Sequence, residues 1–569
     1  MKSLFPYLAP YGKRMGVGLS IKIGGTIVEL FLPLILNHIL DDVILTHSVP
    51  QVVLWGGIMI LCAGFACACN IIANRMAAST SKDFAGDVRR ALFAKTLYLG
   101  ARDTDRFTIP SLESRITSDT YNVHSFVSVM QRMGVRAPIL LIGGMSISFF
   151  LDPVLALVML AMSPFIFCLI YFVARRGVPL YREVQARADS MVRVVREDMQ
   201  GIRVIKALSK GAYENARYDE VNRALSKSER HAGTVMGAVN PLMNLSMNLG
   251  IVAVVSLSAL RVARGTSTPA TVIAFIQYFT LISMAMMALS RIFVMYTKAS
   301  ASARRIGEVL ETPERFFVTP AARDAATEIE FRDVSFSYLG KKDNLANISF
   351  SLARGQSLGI IGATGSGKTT LLSLLMRAYD ADSGIIFLAG RPITSYPHDE
   401  LAALFGVALQ HDFLAADTIA ENIRFGRPLS DAAVERAAKI AQLHDFITTL
   451  ADGYNHTLSP RGTNLSGGQR QRLLIARAVA ANPRILIFDD ASSALDYQTD
   501  SNLRKALRAA YPDTTSVTVA QRVSSVKDCD LILYLEEGRI LGAGTHDELL
   551  TTCTPYREMA DSQMGGVLA

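Results

Sequence analysis

Charge is scarce in this chain. Only 19% of its 569 residues are Asp, Glu, Lys or Arg, and a mean hydropathy of +0.28 is too apolar for a typical soluble enzyme of that size. The length exceeds one ordinary domain, so a membrane part beside a soluble part is the expectation. Cysteine is sparse as well: Cys62, Cys67, Cys69, Cys168, Cys529 and Cys553 show no ligand spacing with histidine, and four of them lie in apolar runs. Zinc sites and a disulfide framework are therefore excluded in favour of packing thiols. A basic-aromatic groove pattern is missing, so the net charge of +8 does not point to nucleic acid. Lys and Arg instead flank apolar runs, as the positive-inside rule requires. No cleavable leader is evident, because the first apolar run is long and lacks a small-residue cleavage site.

Six apolar runs are present, at residues 15–39, 52–73, 135–151, 154–174, 236–260 and 271–295. Most approach or exceed the ~20 residues a helix needs to cross a bilayer, the third being the shortest. Two long polar excursions separate them, one holding Arg89, Arg90, Lys95, Arg102, Arg106 and Arg115, the other Arg175, Arg176, Arg182, Arg193, Arg203, Lys206 and Lys210. Both belong on the cytoplasmic side with the N-terminus; Arg261 and Arg264 in an outer loop are the dissent. Few breakers and helical apolar spacing make the excursions long helices, and ~50 residues would reach ~75 Å, well beyond the hydrocarbon core. Each excursion breaks once, near 106–112 around Pro110 and near 208–214 around Gly211. Lys22 and Glu29 sit in the first run on one helical face. Lys22 is read as snorkelling to the inner interface, whereas the deeper Glu29 is the candidate for a translocation pathway.

After a linker at 313–327 with Pro313 and Pro320, the composition turns to that of a soluble α/β domain over 328–569. There Gly362, Ala363, Thr364, Gly365, Ser366, Gly367, Lys368 and Thr369 spell a phosphate-binding loop, followed by Thr370. Its glycines let backbone N–H groups close on phosphates, Lys368 reaches the β/γ-phosphates and the Thr369 hydroxyl serves Mg²⁺. A strand-like run, 357–361, precedes it and a helix, 368–379, follows. Tyr338 is an aromatic suited to stack on adenine. Gln410 follows an apolar strand, 405–409, and its amide would touch Mg²⁺ or its water. Leu465, Ser466, Gly467, Gly468 and Gln469 precede another helix, again with glycines at an anion-binding N-terminus. The apolar run 484–488 reads as a buried parallel strand ending in Asp489, which would hold Mg²⁺, and Asp490.

In that order these motifs resemble the nucleotide-binding domain of ABC transporters, for which Leu-Ser-Gly-Gly-Gln is diagnostic. Six spans followed by one such domain resemble a half-transporter of the exporter type, and Ser114-Arg115 with Asp119, and residues 201–207, extend the resemblance over the first half. The resemblance implies an α-helical transmembrane bundle, residues 1–312, with long cytoplasmic helix extensions. An α/β P-loop NTPase domain with a helical subdomain then follows. It also implies that two halves sandwich two ATPs, each between one subunit's phosphate loop and the other's signature, and that the breaks near 106–112 and 208–214 are coupling helices. The expected place is the cell membrane of a bacterium, with the nucleotide domain cytoplasmic.

Three departures qualify this. Efficient members carry Glu directly after the Mg²⁺-associated Asp and a His after the next strand; this chain has Asp490 and Gln521 at those positions. Asp is shorter than Glu by one C–C bond, ~1.5 Å, and misplacing a catalytic group by ~1 Å can cost ~10²-fold. The signature and Ser493-Ala494-Leu495-Asp496, matching the D-loop, are intact, whereas Ser459-Pro460-Arg461-Gly462 lacks the glutamate often found before the signature. The asymmetry resembles one half of bacterial heterodimeric exporters, often multidrug-type, with a degenerate ATP site. Its partner would be a second half-transporter carrying Glu and His, and its substrate an amphipathic or lipophilic solute. The alternatives are a nucleotide-sensing subunit that gates a partner, or a slow homodimeric exporter.

Overall fold

The computed structural model describes residues 2–564 apart from 314–317, 320–326, 339, 341–342, 411–412 and 492, so the expected linker 313–327 lies largely outside the described residues. The chain divides into a helical unit, Met1–Leu97 with Ile109–Thr312, and a second unit, Tyr98–Thr108 with Pro313–Ala569. A short segment from the first half of the sequence, around the helix Ala101–Phe107, thus packs with the α/β part.

In the helical unit, five stretches among the described residues are long and apolar enough to cross a membrane: Phe5–Thr46, Val49–Leu97, Ile109–Leu151, Gly211–Ala263 and Pro269–Leu310. The remaining expected span, 154–174, opens the 55-residue helix Pro153–Ala207, where the described apolar stretch is the shorter Pro153–Phe165. At 1.5 Å per residue that helix is ~80 Å long, so its polar half must leave the bilayer. Asp152 caps its start by accepting from the backbone N–H groups of Val154 and Leu155. The same carboxylate takes Arg261 at 2.9 Å, so the charge of that arginine, near the end of the helix Val239–Ala263, is neutralised locally. The helix Gly12–His38 buries Gly18, Lys22, Gly25, Thr26, Leu30 and Pro33, positions that share one helical face. Gly25 is there because the next helix approaches closely; a Cβ would lie 2.6 Å from that of Cys69.

Arg115–Asp119 forms a π-helical turn. Asp119 accepts from the Arg305 guanidinium and, at 2.8 Å, from the Ser302 hydroxyl, while Arg115 reaches Glu308 at 3.2 Å. These bonds bind the turn to the last helix, Pro269–Leu310. Between Pro153–Ala207 and Gly211–Gly237 the chain reverses through Ser209 at φ 52°. This tip leaves Val204, Leu208 and Tyr213 exposed.

The second unit holds two sheets. An antiparallel one runs β2 (Leu345–Leu352), β1 (Ile329–Phe336), β4 (Ser383–Leu388), β5 (Arg391–Pro392). The other runs β10 (Arg539–Gly544), β9 (Leu531–Glu536), β3 (Ser357–Gly362), β8 (Thr515–Val519), β7 (Ile485–Asp489), β6 (Phe405–Ala408). Strands β9, β3, β8, β7 and β6 are parallel. Buried on both faces, they read as the apolar runs seen in the sequence. Packed against the sheet region are helices Ile419–Arg424, Asp431–Ile440 and His444–Thr449, whose apolar residues join those of Gly467–Val479 in a separate core. The helix after the phosphate loop ends at Leu375, short of the expected Tyr379. Arg377 stops it by adopting a left-handed conformation, φ 53°, and anchoring its guanidinium on Asp380 and the Ile393 and Tyr396 carbonyls.

Candidate functional site

Open parallel sheets bind ligands at the carboxyl ends of their strands. Here the ends of β3, β6, β7 and β8 deliver the phosphate loop, Gln410, Asp489 with Asp490, and Gln521 to one place. The loop's glycines answer real constraints. Gly365 and Gly367 hold φ of +83° and +104°, and a Cβ on Gly362 would lie 2.0 Å from the Leu535 carbonyl oxygen. Lys368 opens the following helix and is buried, its Nζ donating to the Gly362 and Ala363 carbonyls at 2.8 and 2.7 Å. Burial lowers the Lys368 ammonium from its usual value, while Asp489 and Asp490 pull it back up. The buried Ser366 hydroxyl has no hydrogen-bond partner among the described residues, and Thr369 Oγ1 donates to Asp489 Oδ2 at 3.3 Å.

These residues fit a magnesium nucleotide. A cation, a run of loop N–H groups and an orphaned hydroxyl converge where phosphates need donors, and a hydroxyl and carboxylate stand together where a hard cation needs oxygens. Thr369 and Asp489 would hold Mg²⁺, and Lys368 with the loop from Gly362 would hold the phosphates. The ion, when bound, neutralises charge on the phosphoryl oxygens.

Asp490 occupies a left-handed conformation, φ 50°, which Asp tolerates; its N–H donates to the Val519 carbonyl at 2.9 Å. Its Oδ2 accepts from both Gln410 Nε2 and Gln521 Nε2, each at 3.3 Å. Burial raises the carboxyl from its usual value, with Arg522 and Lys368 opposing. Gln410, expected at Mg²⁺, is thus placed on Asp490. The Gln521 backbone is itself anchored, its main-chain carbonyl accepting from Gln563 Nε2 at 2.9 Å.

Tyr338 meets Phe336 and Tyr379 edge-on, with centroids 4.9 and 5.1 Å apart, and its hydroxyl donates to Thr370 Oγ1 at 3.3 Å. The aromatic group continues to the helix Ala101–Phe107: Tyr379 donates to Asp105 Oδ2 at 2.5 Å, and Arg102 reaches the Ser337 carbonyl and Asp382 at 3.1 and 3.3 Å.

Leu465 is buried, and Ser466 caps the helix Gly467–Val479 in a capping box with Gln469. Each side chain satisfies the other's backbone N–H, which fixes the helix start. Gly468 admits the Ala494 carbonyl, 3.1 Å from where a Cβ would be. Asp496 caps the next helix, Tyr497–Ala510, through Thr499. Gln471 escaped the sequence reading although it lies two residues past the signature. Its amide donates to Ser493 Oγ at 2.9 Å and to the Asp490 carbonyl at 3.4 Å, and its oxygen accepts from Ala494 N–H at 2.9 Å. It ties the signature helix to the Asp490 strand end, a role only its position in space reveals.

In the helical unit, Glu29 forms a two-pronged ion pair with Arg136, at 2.6 and 3.2 Å. Lys22, expected to snorkel, is instead buried at 3% exposure, its Nζ donating to Asn70 Oδ1 at 2.6 Å and Asn74 Oδ1 at 3.1 Å. Two neutral acceptors on the neighbouring helix made that burial cheaper than reaching the interface. Arg136 is the lone charge of the third apolar run, which was the available signal for Glu29's partner.

Comparison with known proteins agrees with this geometry. Residues 15–286 match the ABC transporter transmembrane region and residues 345–493 the ABC transporter family model. An ABC transporter ATP-binding protein of Bacillus subtilis, YfiB, is 34% identical over 99% of both chains. A Mycobacterium tuberculosis ABC transporter ATP-binding protein, Rv1273c, is 32% identical over 99% of this chain and 98% of its own. A multidrug efflux ATP-binding/permease protein of Mycobacterium bovis is 29% identical over 97% of this chain and 46% of its own length. The fold is similar to that of a bacterial Atm1-family ABC exporter solved with ATP bound, with a TM-score of 0.81, 24% identity and coverage of 98% and 99%. The chain belongs to the ABC transporter family, as a half-transporter whose membrane region is fused to an ATPase domain.

Proposed function

We propose that this chain is the slow-hydrolysing half of a heterodimeric exporter. The observation that carries this is the state of Asp490, whose Oδ2 is engaged by two neutral amides. A general base must present its oxygen to the attacking water. Here the side chain is one carbon short and occupied, and Gln521 donates a hydrogen bond without ever carrying charge. The phosphate loop keeps its binding groups, so ATP is held at this chain's own site and turned over slowly there. Gly467 and Gly468, on a helix start fixed by the Ser466–Gln469 capping box, serve the ATP held by the partner's loop.

The partner is a second half-transporter with Glu and His where this chain has Asp490 and Gln521. Closure of two nucleotide domains on ATP shifts the membrane helices between inward- and outward-facing states. The exposed tip with Val204, Leu208 and Tyr213 supports a docking role toward that partner. We place the pair in a bacterial cytoplasmic membrane, nucleotide domains inside, exporting an amphipathic or lipophilic solute.

The test compares Mg-ATPase of the chain purified alone with that of the chain co-expressed with a complementing half. Little activity alone, restored in the pair and abolished by Gly468→Asp but hardly changed by Asp490→Asn, is expected. Robust activity of the isolated chain that disappears on Asp490→Asn would falsify the proposal.

A further inference from the structure

Among the described residues, the charges clustered around Glu29 in the helical unit do not balance. Lys22, Arg132 and Arg136 face a single carboxylate, Glu29, and Arg132, Arg136 and Glu29 all lie within electrostatic range of Lys22. Glu29 neutralises Arg136. Lys22 rests on the oxygens of Asn70 and Asn74, and Arg132 donates to the Ser128 carbonyl at 3.3 Å; these acceptors are neutral and leave both charges uncompensated. Acids on the surrounding helices are engaged elsewhere: Asp83 with Arg14, Asp87 with Tyr11 and Arg90, Asp119 with Arg305, Glu308 with Arg115.

Lys22 and Arg136 lie at membrane depth, with Arg132 just outside the third apolar run. Lys22 is about 15 Å along its helix from Gly12, and Arg136 about 22 Å from the Leu151 end of its own, at 1.5 Å per residue. Lys22 forms the buried back of the cluster, whereas Arg136 keeps 37% of its side chain accessible and Glu29 19%. Arg132 belongs to a π-helical turn, Met130–Gly134, a distortion frequent at functional sites. On the same two stretches of chain, Ile23, Ile27 and Phe31 are exposed at four-residue spacing, and Met130 and Met133, on either side of Arg132 in sequence, are exposed as well. Uncompensated cations at this depth are costly and mark substrate or ion paths.

We propose that Arg132 and Arg136 bind the anionic headgroup of an amphiphilic substrate whose tail lies along the adjoining apolar side chains, with the buried Lys22 adding positive potential from behind. This rests on the exporter reading and narrows its substrate class. The excess of positive charge repels lipophilic cations, and Glu29 tunes the site by holding Arg136.

The test is equilibrium binding of radiolabelled dodecyl phosphate and dodecyltrimethylammonium, equal in tail and opposite in head, to the full-length chain in zwitterionic nanodiscs. Dodecyl phosphate should bind about tenfold tighter, the order of effect expected for one like-charge against one opposite-charge contact at a partly buried site. Arg132→Gln should weaken it about threefold or more, and Glu29→Gln, which releases Arg136, should strengthen it. Equal affinity for the two heads overturns the proposal, as does a variant effect that is the same for both probes, since that would report folding or tail contact. Inorganic phosphate at the same concentration should not displace the amphiphile; displacement would overturn the amphiphile assignment. ATPase of the co-expressed pair is measured alongside. Its absence with headgroup preference intact would sink the heterodimer reading and leave the site standing.

Discussion

Replacing Asp490 by Glu and Gln521 by His in the same chain is the sharpest perturbation of the nucleotide site. Asp490 Oδ2 lies 3.3 Å from each of two amide nitrogens, and lengthening the side chain by one C–C bond advances the carboxylate by ~1.5 Å. Catalytic misplacement of ~1 Å can cost ~10²-fold, so restoring reach should return a gain of that order, ~2.7 kcal/mol in activation free energy. With Asp490→Glu alone the longer carboxylate would still meet the Gln521 amide, and the single substitution should recover only about tenfold of that. On the proposed heterodimer, the assay is ATP hydrolysis by the co-expressed pair with the partner's expected catalytic Glu neutralised, so that only this chain's site reports. Binding of a fluorescent ATP analogue is measured in parallel to confirm that Lys368 and the loop remain loaded. A double variant that binds nucleotide as the parent does, yet hydrolyses no faster, would refute the claim that the base and its neighbours limit turnover.

Tyr379→Phe removes the hydroxyl bonded to Asp105. A hydrogen bond to a charged acceptor contributes about 1.5 to 3 kcal/mol, so amide exchange in Ala101–Phe107 should quicken by at least about tenfold; unchanged exchange would mean the helix is held by its other contacts. Arg305→Ala strands Asp119, whose side chain is 2% exposed against 45% for Arg305. Because the arginine is half in water, the loss should be about 2 kcal/mol rather than the 3 to 5 of a fully buried pair, read as a lower melting temperature of the solubilised chain, with Asp119→Asn milder. Burial pushes the Cys529 thiol up to about 11. The thiol is the protonated form at pH 8, so alkylation mapped by mass spectrometry should leave Cys529 unlabelled in the folded chain and label it after denaturation; rapid labelling at pH 8 would contradict its placement.

Some of this was legible in the sequence because local chemistry forces it. Six apolar runs cannot be solvated, and a glycine-rich loop between an apolar strand and a helix has few other uses. The two-part organisation and the expected phosphate loop from Gly362 to Thr369 follow from that, and the family from the added signature Leu465 to Gln469. The tertiary structure decided what those residues meet. Asp490 is separated from Gln410 and Gln521 by 80 and 31 positions, and only parallel strands ending side by side bring both amides to one carboxylate. The same holds for Lys22, which lies beside Asn70 and Asn74 on a helix that Gly25 lets approach closely, and for Ala101–Phe107, which packs with residues more than two hundred positions later. Patterns along a chain reveal which side chains prefer burial or carry charge. Partner, distance and the balance of charge are properties of packing, and they set whether a bound nucleotide is held or hydrolysed.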